Sequence, residues 1–306
     1  MTDLLPSRHP EVRELSRRLA RVAPTALALL IEGETGTGKS WVTARLHRAS
    51  RGGRPLVVVD CGALAPGLLA SELFGHRAGA FTDATRPRSG WLERAADGTL
   101  VLDRLDILPG EGQVALLRAL DEARFFPVGT GQSRPLRARV VALVDAGVSA
   151  RVGSGELRPD LFHRVAGLHV VMPPLHERPL DILPFADAHL RRSGRHGTPV
   201  RLDQEARELI QAYPWPGNYR ELATVLDRAA ILNPGTLGVA DLGLPASAWS
   251  EVAARAAERS LPLAAVERLY ALWVLAQAGG NVSRAARVLG VSRRTLIRWR
   301  RDGAGS

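Results

Sequence analysis

The sequence predicts an α/β core built on a parallel sheet, followed by two helical segments. Three observations predict it. The first is Gly33-Glu34-Thr35-Gly36-Thr37-Gly38-Lys39-Ser40, which fits the phosphate-loop pattern G-x-x-x-x-G-K-[ST] between an apolar strand and a helix. The second is a series of three short apolar runs, two of them ending in aspartate. Such runs mark a sheet buried on both faces, with functional loops at the strand C-termini. The third is a change at Pro173-Pro174, after which the apolar spacing is helical.

Residues 26–31 read as the strand that enters the loop, and 41–47 as the helix that leaves it. Gly36 and Gly38 let backbone N–H groups close on phosphates. Lys39 is the only lysine among 41 lysines and arginines, and it stands where a compact ammonium reaches β- and γ-phosphates. Ser40 is placed to hold Mg²⁺. Further strands are expected at Leu56-Val57-Val58-Val59-Asp60, Thr99-Leu100-Val101-Leu102-Asp103 and Arg139-Val140-Val141-Ala142-Leu143-Val144. The middle one delivers Asp103 about sixty residues after the loop, the Walker B arrangement for an aspartate that holds Mg²⁺ through water.

The chain divides into an α/β core at 1–172, a helical segment at 173–235, a linker at 236–261 and a basic helical segment at 262–306. At 306 residues there is room for these. The single cysteine, Cys61, cannot form an internal disulfide, and no apolar run has the length of a membrane span or the character of a signal peptide. A cytoplasmic location is expected, with no membrane partner. The net charge of +10 points to a polyanion, or else to a solvated arginine-rich surface.

Ser71-Glu72-Leu73-Phe74-Gly75-His76, then Gly79-Ala80-Phe81-Thr82-Asp83-Ala84, resembles the GAFTGA region of bacterial enhancer-binding proteins, the AAA+ activators of sigma-54 RNA polymerase. Leu157-Arg158-Pro159-Asp160-Leu161-Phe162-His163-Arg164-Val165 and Trp215-Pro216-Gly217-Asn218-Tyr219-Arg220-Glu221-Leu222 extend the resemblance, which runs from about 5 to 301. It implies an AAA+ core, a helical lid, and ATP with Mg²⁺ as ligands. The sensory domain common at the N-terminus of the family is expected to be missing. Residues 79–84 match the family's mobile loop that touches the sigma factor, with Asp83 replacing the second glycine and adding a negative charge. Arg158 and Arg164 match paired arginine fingers, which act on a neighbouring subunit's nucleotide and imply a ring, a hexamer by resemblance. Arg220 matches the lid arginine that reaches the nucleotide.

Four residues at the expected nucleotide site depart from the family pattern. Arg104 follows Asp103 where the family carries the glutamate that activates water. General-base catalysis contributes about 10²–10⁴-fold, so hydrolysis is expected to be crippled. Val144-Asp145 replaces a Thr-Asn pair that senses the nucleotide, and Asp60 replaces the asparagine that holds the catalytic glutamate. Asp60 and Arg104 therefore form an acid–base pair expected to make a salt bridge; independent drift after loss of activity is the alternative. Asp106 is a candidate substitute base.

The last segment resembles a Fis-type helix-turn-helix. Asn281 is a helix N-cap, Gly290 makes the turn, and Ser292 caps a recognition helix running to about Arg301. From Asn281 to Arg301 there are seven arginines and no acid. Arg293, Arg294 and Thr295 are placed for base edges, and Arg298, Arg300 and Arg301 for phosphates. The expected protein is a sigma-54-type regulator that binds enhancer-like DNA, ATP and the sigma-54 polymerase, in a ring of its own copies or mixed with an active homologue. A non-catalytic repressor or architectural protein, using the AAA+ domain to oligomerise, is the alternative.

Overall fold

The apolar runs assemble, in a computed structural model of the chain, into a five-stranded parallel sheet. The structure describes residues 4–63, 68–80, 84–193, 200–244, 253, 257 and 260–301. They fall into two units, Met1–Pro173 and Pro174–Ser306.

In the first unit α1 (Pro10–Val22) precedes β1 (Leu29–Glu32), α2 (Lys39–Arg51) and β2 (Leu56–Asp60). Then come α3 (Leu69–Phe74), β3 (Gly75–His76), β4 (Arg88–Ser89), α4 (Trp91–Ala95) and β5 (Thr99–Asp103). They are followed by α5 (Gly110–Asp121), β6 (Arg124–Phe125), β7 (Arg134–Pro135) and β8 (Arg139–Val144). The unit ends with α6 (Val148–Gly153), α7 (Pro159–Val165) and β9 (Leu168–Val171).

The main sheet has the order β2-β5-β8-β1-β9. Its alternate faces feed two cores. Leu30, Leu100, Leu102, Val140 and Ala142 pack with Leu116 and Leu161 on one side. Leu29, Ile31, Val101, Val141 and Leu143 pack with Leu15, Leu19, Val42 and Leu46 on the other. This double burial is why the strands read as continuous apolar runs. Strand β9 carries no aspartate and was not among the strands expected from the sequence.

Arg139 is buried at the start of β8 and donates to the carbonyls of Val22, Ala23 and Leu27, where α1 ends. Desolvation, with Arg51 nearby, pushes its pKa down to about 10. Carbonyls at a helix C-terminus suit a cation, so this charge is held without a carboxylate.

The second unit contains α8 (Ile182–Ser193), β10 (Arg201–Leu202), α9 (Gln204–Ala212), α10 (Asn218–Leu232) and β11 (Thr236–Leu237). It continues with α11 (Leu263–Gln277), α12 (Val282–Leu289) and α13 (Arg293–Arg301). The expected linker needs a correction at its start. Strand β11 pairs with β10, and Leu237, Val239, Leu242 and Leu244 are buried in the same core as Leu209 and Trp215. This stretch is packed rather than a spacer; residues 245–252 lie outside the described residues. Helix α11 also joins this core through Leu272 and Trp273, whose ring stacks on Tyr213 at 6.4 Å.

Candidate nucleotide site and DNA-binding helices

The C-terminal ends of β1, β2, β5 and β8 lie side by side. Register aligns Asp60 with Asp103, Asp103 with Leu143, and Glu32 with Val144. One sheet edge thus carries the phosphate loop and the three expected aspartates, Asp60, Asp103 and Asp145.

The loop runs from Gly33 to the first turn of α2. Gly38 has φ 100°, which only glycine adopts readily, and it hands the chain directly to Lys39. At Gly33 a Cβ would stand 2.9 Å from the Met172 carbonyl oxygen, so the close approach of β9 requires glycine. Thr37 is buried and donates to the Glu34 carbonyl at 2.8 Å. Ser40 and Thr35 are exposed. No side chain caps the start of α2, and the N–H groups of a helix N-terminus suit an anion. The loop therefore fits a nucleotide's phosphates, with Lys39 at its mouth.

Lys39 is largely buried and its ammonium is fully engaged. It donates to the Gly33 carbonyl, to the Glu34 carbonyl at 3.3 Å and to Asp145 Oδ1 at 3.1 Å. This last ion pair is not among the sequence expectations, because it depends on β8 lying beside β1. Val144 is buried, and its carbonyl accepts from Gly33 N–H at 3.3 Å.

Asp60 and Arg104 form the expected salt bridge. Arg104 Nε donates to Asp60 Oδ1 at 3.0 Å and Nη2 to Oδ2 at 2.6 Å, a bidentate pair in which both side chains are about half exposed. Hydrogen bonds from Arg104 hold the Asp60 carboxyl below its usual range, aided by the Gly62 N–H. Arg104 has φ 56°, a left-handed conformation that turns the chain out of β5. Such strain in a non-glycine residue persists where surrounding structure holds it, often at functional sites.

Asp106 does not face solvent. It is buried and ion-paired with Arg151 at 3.3 Å, and burial raises its carboxyl pKa. Its position corrects the expectation of a substitute base, since water does not reach it. Burial likewise pushes the Cys61 thiol up to about 12, which leaves it a core residue rather than a nucleophile. Glu32 is structural. It accepts from Gly147 N–H at 2.7 Å and contacts His169 Nε2 at 2.8 Å, tying β1 to β9 and to the turn after Asp145.

Arg158 lies just ahead of α7, as its N-cap, because Pro159 opens that helix. Its guanidinium is bidentate on Asp160, at 2.7 and 3.1 Å. Arg164 pairs with Asp121 at 3.1 Å and also donates to the Leu120 carbonyl. Both are about half exposed.

Loop residues Phe81, Thr82 and Asp83 lie outside the described residues. Its neck is described: Gly79 N–H donates to the Ala84 carbonyl at 2.7 Å, with Ala80 between them and the tip and Ala84 buried. The antiparallel pair β3 and β4 brackets the segment.

In the second unit the Trp-Pro-Gly-Asn turn is pinned. Trp215 Nε1 donates to the Ile210 carbonyl at 2.7 Å, and Asn218 Oδ1 accepts from Leu175 N–H at 2.6 Å. Arg220 is exposed in the first turn of α10.

The helix-turn-helix forms with its expected caps. Asn281 Oδ1 accepts from Arg284 N–H at 3.0 Å, Gly290 adopts φ 66°, and Ser292 Oγ accepts from Thr295 N–H at 3.0 Å. Ala285, Ala286 and Leu296 form the buried contact between α12 and α13. Arg293, Arg294 and Arg298 are exposed, and Thr295 is partly so. Arg300 is not a free phosphate ligand, because its Nε contacts Glu205 Oε1 of α9 at 2.5 Å. The side chain of Arg301 lies outside the described residues.

Residues 5–171 match the sigma-54 interaction domain family, more than half of the chain. The chain belongs to this family. Residues 176–258 match the AAA+ ATPase lid domain, and 262–301 the bacterial regulatory proteins of the Fis family.

The chain is similar to curated relatives over most of its length. Regulatory protein AtoC of Escherichia coli K12 is 37% identical over 299 residues, which cover 94% of this chain and 65% of AtoC. Transcriptional regulatory protein ZraR of Salmonella typhimurium LT2 is 38% identical over 292 residues, covering 94% of this chain and 66% of ZraR. The chain thus spans just under two thirds of the length of these relatives. Among solved structures, NtrX from Brucella abortus in complex with ATP has a TM-score of 0.70 at 31% identity, covering 97% of this chain and 68% of that one. Its complex with ADP has a TM-score of 0.73 at 29% identity, covering 96% of this chain and 68% of that one.

Among the described residues no helix is long and apolar enough to cross a membrane.

Proposed function

We propose that this member of the sigma-54 interaction family is a DNA-binding, nucleotide-binding transcriptional regulator whose ATPase site is impaired. One observation carries it: a complete phosphate loop and a capped recognition helix with exposed Arg293, Arg294 and Arg298 occur in one chain, while Arg104, paired with Asp60, follows Asp103 where the resemblance puts a glutamate.

The phosphates of ATP would be held by N–H groups of residues 36–40 and by Lys39. Ser40 and Asp103 would hold Mg²⁺, which neutralises charge between β- and γ-oxygens. A guanidinium carries only donors, so Arg104 cannot take a proton from water. Its grip on Asp60 further occupies the carboxylate nearest to that position. Arg220 is the lid's candidate to touch nucleotide. Arg158 and Arg164 would serve a neighbouring subunit in a ring, exchanging Asp160 and Asp121 for a γ-phosphate. In a ring mixed with an active homologue such fingers act even where the chain's own site does not.

Enhancer-like DNA would take Arg293, Arg294 and Thr295 on base edges and Arg298 on phosphate. The 79–84 loop is the candidate contact for sigma-54 polymerase, and a cytoplasmic location fits these partners. The direct test of nucleotide binding is calorimetry on Lys39→Ala, where affinity for ATP with Mg²⁺ should fall at least tenfold. Unchanged affinity would contradict the assignment.

A second reading is favoured by the joint change at Asp60, Arg104, Val144 and Asp145. It is a non-catalytic repressor or architectural protein in which the AAA+ domain serves oligomerisation. Open-complex formation by sigma-54 polymerase on a bound promoter separates the two, since only a regulator of the activator type supports it, alone or in a mixed ring.

A further inference from the structure

We infer that Asp145 makes this nucleotide site selective for a diphosphate over a triphosphate, so that ADP rather than ATP is its preferred ligand. The inference rests on the nucleotide-binding assignment above and concerns which nucleotide that site prefers.

The geometry is specific. Lys39 has three ammonium hydrogens and three oxygens around it: two loop carbonyls and Asp145 Oδ1 at 3.1 Å. Its side chain is only 11% exposed, against 49% for Asp145. The lysine is therefore approached from the side on which Asp145 meets solvent. Asp145 is held there by the strand itself, because the preceding Val144 carbonyl accepts from Gly33 N–H at 3.3 Å.

The carboxylates of Asp60, Asp106 and Asp145 at this edge each meet a cation, Arg104, Arg151 and Lys39 respectively. Arg104 is committed to Asp60 and Arg151 to Asp106. Lys39 is thus the one cation of the three that pairs with Asp145.

The inner phosphates of a nucleotide are served by the loop N–H groups and the N-terminus of α2, which need no change at Asp145. A terminal γ-phosphate is different, since it shares Lys39 with the β-phosphate and lies beyond it. It would have to compete with Asp145 for the ammonium and then sit beside an unneutralised carboxylate. Like charges in a partly desolvated site repel, and the added charge of the γ-phosphate bears the whole of that repulsion. An uncharged amide at this position would instead donate to a γ-oxygen. The substitution of carboxylate for amide therefore weighs most on the third phosphate, while the β-phosphate, which also uses Lys39, feels it less.

The test is calorimetric titration of the full chain with ADP, ATP and the non-hydrolysable β,γ-imido analogue of ATP, each with Mg²⁺. Wild type, Asp145→Asn and Asp145→Ala are compared, the alanine variant guarding against a fold defect particular to one side chain. The wild type should bind ADP at least tenfold more tightly than either triphosphate. Both variants should narrow that ratio at least fivefold, by strengthening triphosphate binding more than ADP binding. Equal wild-type affinities for ADP and triphosphates, or equal shifts for all three in the variants, would overturn the role of Asp145 and leave nucleotide binding standing. Absence of binding by all three nucleotides would overturn the nucleotide assignment itself, and this inference with it.

Discussion

At the scale of single residues, the site turns on which carboxylates are already spoken for. Asp60 belongs to Arg104, Asp106 to Arg151 and Asp145 to Lys39, each across a gap of 2.5–3.3 Å. The first pair has a pH signature. The folded-state pKa of Asp60 is depressed by Arg104, so its stabilising contribution is present above the ordinary carboxylate pKa of about 3.9 and fades as pH falls through the lower folded value. Half exposure of both partners keeps that contribution small. Removing the guanidinium in Arg104→Ala should therefore raise the Asp60 titration midpoint toward the ordinary range, read by carbon NMR of the side-chain carboxyl. An unmoved midpoint would mean that the pair does not form in solution. The Asp60–Arg104 bridge was legible in the sequence because two departures from one family pattern had complementary charge. The Lys39–Asp145 pair was not drawn from the sequence, since it depends on β8 lying directly beside β1, a fact of strand order rather than of spacing. Asp106 was misjudged for a related reason: a side chain's direction at a strand end is set by the turn that follows, here the left-handed Arg104.

At the scale of elements, caps and turns were more readable than packing. Asn281, Gly290 and Ser292 act as the sequence suggested, because capping is a local hydrogen bond between a side chain and the next turn. Helix α11 was recognised as a helix but not as part of the core shared with α9. Its sequence is apolar around nearly its whole circumference, which signals burial on more than one side. That packing brings Arg268 onto Glu208 at 2.6 Å and Arg300 onto Glu205, so the arginines of this segment are not equivalent. Arg293→Ala and Arg294→Ala should each weaken specific DNA binding by about 1–3 kcal/mol and relax sequence preference. Arg298→Ala should weaken binding to all sequences and reduce the slope of log affinity against log salt by about one. Arg300→Ala should change that slope less than Arg298→Ala does. Anisotropy titrations across a salt series check all four, and an Arg300 effect as large as that of Arg298 would show that the contact with Glu205 is released on DNA.

At the scale of the whole molecule, the proposed function joins a nucleotide site to a DNA-binding segment and sets an arginine at the position assigned to water activation. If the chain is an impaired partner in a ring, its contribution lies in binding and in the arginines it lends to neighbours. The central claim is that Arg104, locked to Asp60, keeps hydrolysis low while the phosphate loop remains competent. Restoring glutamate alone would set two carboxylates against each other, since Asp60 would face the new side chain. The most direct measurement is phosphate release at saturating ATP and matched oligomeric state by the wild type, Arg104→Glu, Asp60→Asn and the double variant. The expected result is weak wild-type turnover and a gain in the double variant larger than in either single one, still limited by Val144 and Asp145. Robust wild-type turnover that falls when glutamate is introduced would contradict the claim.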